Sequence, residues 1–156
     1  NPLTKHGVSL LAQAPNLAGL RSLYLSGCLA DVSALEELLA SPHLRNLETL
    51  RLSEHKFENA LLNALCAWPG LAKVRGLLLD NCELGSLGVK RLAKSPLASA
   101  LQYVSLTGNR IPILGLTALL QSANLPKLRM LRIRKNRFTK KQEELFEKYQ
   151  RVKIMF

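Results

Sequence analysis

Cys28, His55 and Cys82 stand at equal intervals of 27 residues. Thiolate and imidazole are the side chains that bind zinc. The even spacing argues against a zinc site here. In a fold that repeats with the chain, three such residues stack as a ladder and do not converge on a point. A zinc site would also need a fourth ligand. Cys28 and Cys82 would lie two strands apart, ~10 Å, which is beyond the reach of a disulfide. The remaining reading is structural: the three side chains serve the backbone groups of successive turns. Cys66 falls on a helical stretch and packs.

Other catalytic signals are weak. His6, His43 and His55 have no Ser or Cys partner at a diagnostic spacing. The phosphate loop G-x-x-x-x-G-K-S/T, the dinucleotide loop G-x-G-x-x-G and the zinc motif H-E-x-x-H do not occur. Glu36-Glu37 and Glu143-Glu144 read as solvated helix faces. The expectation is a chain that is not an enzyme, with no catalytic residue, no metal and no cofactor.

Binding chemistry is better represented. The formal net charge is +11. Residues 127–156 hold 11 Lys/Arg against 3 Asp/Glu, while the first 126 hold 11 against 8. A basic end of this kind favours an acidic protein surface, nucleic acid or an anionic membrane. No apolar run reaches the ~18–20 residues that a membrane span needs, and no signal peptide is visible. Three sparse cysteines favour a reducing, cytoplasmic location.

The elements that position these residues follow from a period. Position 1 of each unit is Leu20, Leu47, Val74, Leu101 and Leu128. Position 4 is Leu23, Leu50, Leu77, Val104 and Leu131. Position 6 is Leu25, Leu52, Leu79, Leu106 and Ile133. Position 9 is Cys28, His55, Cys82, Asn109 and Asn136. Position 11 is Ala30, Phe57, Leu84, Ile111 and Phe138. Alternation at positions 4 to 6 predicts a short strand. The second half of each unit has helical spacing: Leu35, Leu38 and Leu39 after the N-cap Asp31, then Leu61, Leu62 and Leu65, then Val89 and Leu92, then Leu116, Leu119 and Leu120. Pro42, Pro69 and Pro96 end the first three helices, and Pro126 follows the fourth slightly later. A Leu (44, 71, 97, 125) then leads into the next strand.

A single unit of strand, turn, helix and turn cannot bury its apolar face. Stacked units bury a continuous core, with a parallel sheet on one side and helices on the other. Strands need ~4.8 Å each and helices ~10 Å. The stack therefore curves, with the strands on its concave side.

The pattern L-x-x-L-x-L-x-x-(N/C)-x-(L/I) resembles the leucine-rich repeat family over nearly the whole chain. The long, helix-containing unit resembles its ribonuclease-inhibitor-like subclass. Segments such as Ser105-Leu106-Thr107-Gly108-Asn109-Arg110-Ile111 look like the helical repeats of bacterial multi-repeat proteins. The resemblance implies an α/β solenoid, a curved horseshoe segment whose surface binds protein partners. The expected organisation is one domain, 1–156. It holds a partial repeat 1–19, full repeats 20–46, 47–73, 74–100 and 101–127, and a last strand with a C-terminal cap at 128–156. Within that cap, Thr139 and Gln142 have capping-box spacing, and 152–156 alternates like a short strand. The frame places Asn1 at position 9, which predicts that further repeats or another domain precede it.

Positions 2, 3 and 5 point away from the core and line up across units. They bring Arg21, Arg75 and Arg129 into one column, Tyr103 and Met130 into a second, and Tyr24, Arg51, Leu78 and Arg132 into a third, with Arg134 at the flanking position 7. Arg and Tyr are enriched at interface anchors, and Arg grips carboxylates with two hydrogen bonds. The expected partner is an acidic protein or peptide held by a monomer. The alternatives are nucleic acid, through Arg129, Arg132, Arg134, Lys135, Arg137, Lys140 and Lys141, or a targeting role within a larger enzyme or effector. Only Tyr24 and Tyr103 offer stacking platforms on this face, and no known nucleic-acid module is present. No membrane contact is expected.

Overall fold

The computed structural model describes residues 2–146 and 149–156. Expectations for Asn1 and Lys148, and for the side chains of Lys140, Lys141 and Leu145, lie outside the described residues. Six short strands form one parallel sheet in sequential order: β1 Ser22–Tyr24, β2 Thr49–Arg51, β3 Gly76–Leu78, β4 Tyr103–Ser105, β5 Met130–Arg132 and β6 Lys153–Met155. The register follows the period of the chain. Leu23 pairs with Leu50, Leu50 with Leu77, Leu77 with Val104 and Val104 with Leu131. Each of these central residues is buried.

The helices are α1 Lys5–Gln13, α2 Val32–Leu39, α3 Glu58–Ala67, α4 Ser86–Lys94, α5 Ile113–Leu120 and the short α6 Lys140–Glu143. Every apolar residue assigned by spacing to the inner helix faces in α2 to α5 is buried. Thr4 caps α1 by accepting the Gly7 amide at 3.0 Å. Asp31 caps α2 in the same way, accepting from the Ala34 amide at 2.9 Å. The Ser33 hydroxyl and then the Ala34 amide hold the Asp31 carboxyl below its usual range.

Pro15, Pro69 and Pro96 each open a 3₁₀ turn that leads toward the next strand. Proline suits this place because its fixed φ starts the turn and its missing N–H has no partner there. The buried residue of this turn falls at Leu17, Leu44, Leu71, Ala98 and Leu125. In the third unit the core slot therefore belongs to Ala98, and Leu97, expected there, is only partly buried. The first unit shifts similarly. Leu29 is buried, while Ala30, expected at position 11, is exposed.

A left-handed residue closes the turn after each of the first five strands: Gly27 (φ 60), Glu54 (φ 67), Asn81 (φ 56), Gly108 (φ 70) and Lys135 (φ 56). Glycine adopts this conformation freely and asparagine readily, while glutamate and lysine do so at a cost. Position 8 thus answers to the turn before it answers to any ligand.

Beyond β5, the Thr139 amide donates to the Gln142 side-chain oxygen at 2.9 Å, which is one half of the expected capping box. Phe138, Phe146 and Phe156 then pack with ring centroids 5.9–6.2 Å apart, and β6 joins the sheet beside β5.

Candidate functional site

The register decides which side chains stand together on the sheet face. One row runs Ser22, Thr49, Gly76, Tyr103, Met130 and Lys153; the next runs Tyr24, Arg51, Leu78, Ser105, Arg132 and Met155. Arg21, Tyr24, Arg51, Arg75, Arg129, Arg132 and Arg134 are exposed there, and Leu78, Tyr103 and Met130 are half-buried. Ser105, expected to face outward, is buried: its hydroxyl donates to Asp80 Oδ1 at 2.6 Å. The same oxygen accepts the Thr107 amide at 2.8 Å, so this carboxylate is bound into the sheet.

The arginines divide into two groups. Arg21 Nη1 lies 2.5 Å from Glu48 Oε1, and Arg75 Nη1 lies 3.4 Å from Glu48 Oε2. Glu48 therefore offsets the charge at the leading end of the face. At the other end, no carboxylate of the described residues lies within 4.0 Å of Arg129, Arg132 or Arg134. Arg132 Nη1 instead donates to the Tyr103 hydroxyl at 3.4 Å.

Arg132 and Arg134 open onto a cavity of about 300 Å³, lined also by Asp80, Thr107, Met155 and Phe156. Two guanidinium groups beside an apolar wall form a site for a carboxylate carried on an apolar or extended chain. Met155 and Phe156 were missed by repeat spacing because β6 pairs with β5 at a step of 23 residues (Met130 to Lys153) and not 27. The alternation of Val152, Ile154 and Phe156 with Arg151, Lys153 and Met155 was the available signal.

Position 9 is a backbone-serving ladder. Asn109 Oδ1 accepts the Cys82 and Leu84 amides, both at 3.0 Å, while its Nδ2 donates to the Leu79 and Leu106 carbonyls at 2.8 and 2.9 Å. Asn136 repeats the pattern one unit on. His55 Nε2 accepts the Leu29 amide at 2.9 Å, and Nδ1 lies 3.0 Å from the Leu52 carbonyl. A carbonyl only accepts and an amide only donates, so the ring is neutral with its proton on Nδ1. Burial lowers the His55 pKa below its ordinary 6.5. The Cys82 thiol donates to the Leu52 carbonyl at 3.2 Å, and burial pushes its pKa up to about 11. All three cysteines are free. Among the described residues, no group of three or more His, Cys, Asp or Glu is placed to hold a metal ion.

The helix side offers less. Trp68 is buried beside an apolar cavity of about 330 Å³ formed with Leu39, Ala40, Ala64 and Pro69. Among the described residues, no helix is long and apolar enough to cross a membrane.

No protein-family model matches the chain, and no curated protein matches it. Among solved structures it is similar to a leucine-rich repeat protein of Leptospira interrogans, with a TM-score of 0.53 and 19% identity. The match covers 91% of this chain and 38% of that one, so the chain spans well under half the length of the protein it resembles. At this identity the likeness shows the fold, a leucine-rich repeat solenoid.

Proposed function

We propose that the chain is a non-catalytic interaction module, of the ribonuclease-inhibitor-like and bacterial multi-repeat type, that binds an acidic protein or peptide on its concave face. One observation carries the reading: Arg132 and Arg134 face a common cavity without an ion-pair partner among the described residues, beside the apolar side chains of Met155 and Phe156. An unpaired guanidinium is already exposed and gains a bidentate partner when a carboxylate arrives. Arg51, Tyr24, Tyr103, Leu78, Met130 and Arg129 extend this surface, and Arg21 and Arg75 join it through the Glu48 bridge. The chain acts as a monomer in this reading. Its three free thiols accord with a reducing, cytoplasmic setting.

The competing reading is nucleic-acid binding through the basic end. Arg129, Arg132, Arg134, Lys135 and Arg137 are all exposed, which favours it. The stacking surface is small, because only Tyr24 and Tyr103 stand on this face and Tyr103 is half-buried.

Two measurements separate these readings. Affinity capture is run with the wild type beside a chain carrying Arg51→Glu, Arg75→Glu and Arg132→Glu. An acidic partner held by the concave face is lost from the variant, and partners retained equally by both refute the reading. Titration with generic duplex DNA at low salt then tests the alternative, which fails if no binding is seen.

A further inference from the structure

The column at position 2 alternates Arg21, Glu48, Arg75, Gln102, Arg129. Its backbone holds one geometry at every step. Glu48 N donates to Arg21 O at 2.8 Å, Arg75 N to Glu48 O at 2.7 Å, Gln102 N to Arg75 O at 2.8 Å, and Arg129 N to Gln102 O at 2.9 Å. The five side chains therefore leave the sheet in equivalent places. In the first Arg–X–Arg triplet X is Glu48, whose two oxygens contact the arginines on either side. In the second triplet X is Gln102, which has nearly the shape of glutamate and no charge.

The surroundings of Gln102 are more basic than those of Glu48. The residue two places before each member of the column is Asn46 for Glu48, Lys73 for Arg75, Ala100 for Gln102 and Lys127 for Arg129. Ala100 is small and half-buried, and a cavity of about 380 Å³ opens over it, with Lys73, Arg75, Gln102 and Lys127 in its walls on this side and Arg21, Asn46 and Glu48 on the other. The cation pairs Lys73/Arg75 and Lys127/Arg129 stand two strands apart, ~10 Å. That interval is the one Glu48 spans in the first triplet.

We propose that a carboxylate of an acidic peptide sits over Ala100 beside Gln102, between Arg75 and Arg129, as the Glu48 carboxylate sits between Arg21 and Arg75. Lys127 adds a third cation, and the Gln102 amide donates to the incoming oxygen. The inference rests on the acidic-partner reading above and adds the place and register of one partner side chain. The arrangement also explains why only one of the two triplets carries its own acid: the second is completed by the partner.

The test is an amide NMR titration with an acetylated and amidated glutamate decapeptide at low salt. It compares the wild type, Gln102→Glu, and Gln13→Glu on α1 as a charge control. Gln102→Glu rebuilds the Glu48 arrangement and occupies the seat from within. The expected result is that wild-type shifts include Arg75, Ala100, Gln102 and Arg129. Affinity falls by roughly tenfold in Gln102→Glu and by less than about twofold in Gln13→Glu. Superposable spectra of the free variants exclude misfolding as the cause. Equal affinities for the two variants overturn this inference and leave the acidic-partner reading in place. A wild type that does not bind the peptide overturns both.

Discussion

The Arg21 guanidinium lies 2.5 Å from the Glu48 carboxylate, one strand away across the sheet face. With the second contact to Arg75, one carboxylate partly offsets two guanidinium groups at the leading end of the concave face. It leaves Arg51, Arg129, Arg132 and Arg134 as the arginines of the face without an ion-pair partner among the described residues, three of them at its trailing end. The face is graded, and a formal charge of +11 on the chain understates how strongly its trailing end attracts anions.

Replacing Glu48 by Gln removes that grading. Both arginines are more than half exposed, so the bridge contributes at most about 1 kcal/mol to stability. The urea midpoint of Glu48→Gln stays close to wild type. Its affinity for the glutamate decapeptide rises at low salt, and the gain fades as salt screens the freed cations. Fluorescence anisotropy at two salt concentrations reads both effects, and an affinity that does not change contradicts the grading.

His55 makes stability pH-dependent. Its folded pKa lies below the unfolded value of 6.5, because the buried ring must stay neutral to accept from Leu29. Between these two values the unfolded chain binds more protons, so stability rises with pH. The neutral ring's contribution is complete above 6.5 and is lost as pH falls through the folded value. The charged group facing it is Glu54, which opposes the shift, while the neighbouring Cys82 thiol stays protonated and neutral. Urea midpoints across this window decline for wild type, and they decline less for His55→Asn, which places the residue of the later units in the ladder.

Asn109 is the strongest rung of that ladder. Asn109→Ala leaves two buried amides and two carbonyls without their side-chain partner. The expected loss is about 3 kcal/mol or more in urea unfolding, on a scale of 1–3 kcal/mol per buried unsatisfied group. Cys28→Ala costs far less, since the Cys28 thiol donates only to the Ser26 carbonyl, from a partly buried place.

Gly70 is constrained by Trp68. A methyl group at Gly70 would fall onto the indole ring, which is itself buried. Gly70→Ala therefore displaces Trp68, with a cost of about 1–3 kcal/mol typical of overpacking. A red shift of tryptophan emission in the folded variant reports the displacement, and unchanged emission argues against it.

Much of the fold was legible because a buried slot recurring every 27 residues leaves a Leu, Val or Ile at most returns. The slot at Ala98 was missed because a small residue fills it, so a search for leucine settles on the neighbouring Leu97. Leu29 was missed because the first turn shifts its core residue by one place relative to Ala30. The candidate site was legible as columns of arginine, since strand register follows the period. Its grading was not, because it depends on where the Glu48 carboxylate points. The wall formed by Met155 and Phe156 escaped because β6 joins the sheet off the period.

The central claim is that unpaired cations at the trailing end of the concave face hold an acidic partner. Calorimetric titration of the glutamate decapeptide into wild type and into the double variant Arg132→Glu, Arg134→Glu tests it most directly. Both positions are exposed, so the variant is expected to fold with an unchanged thermal midpoint. The account predicts that its affinity drops at least roughly tenfold, given the cost of opposing like charges at an interface. An affinity equal to wild type in a folded double variant would contradict it.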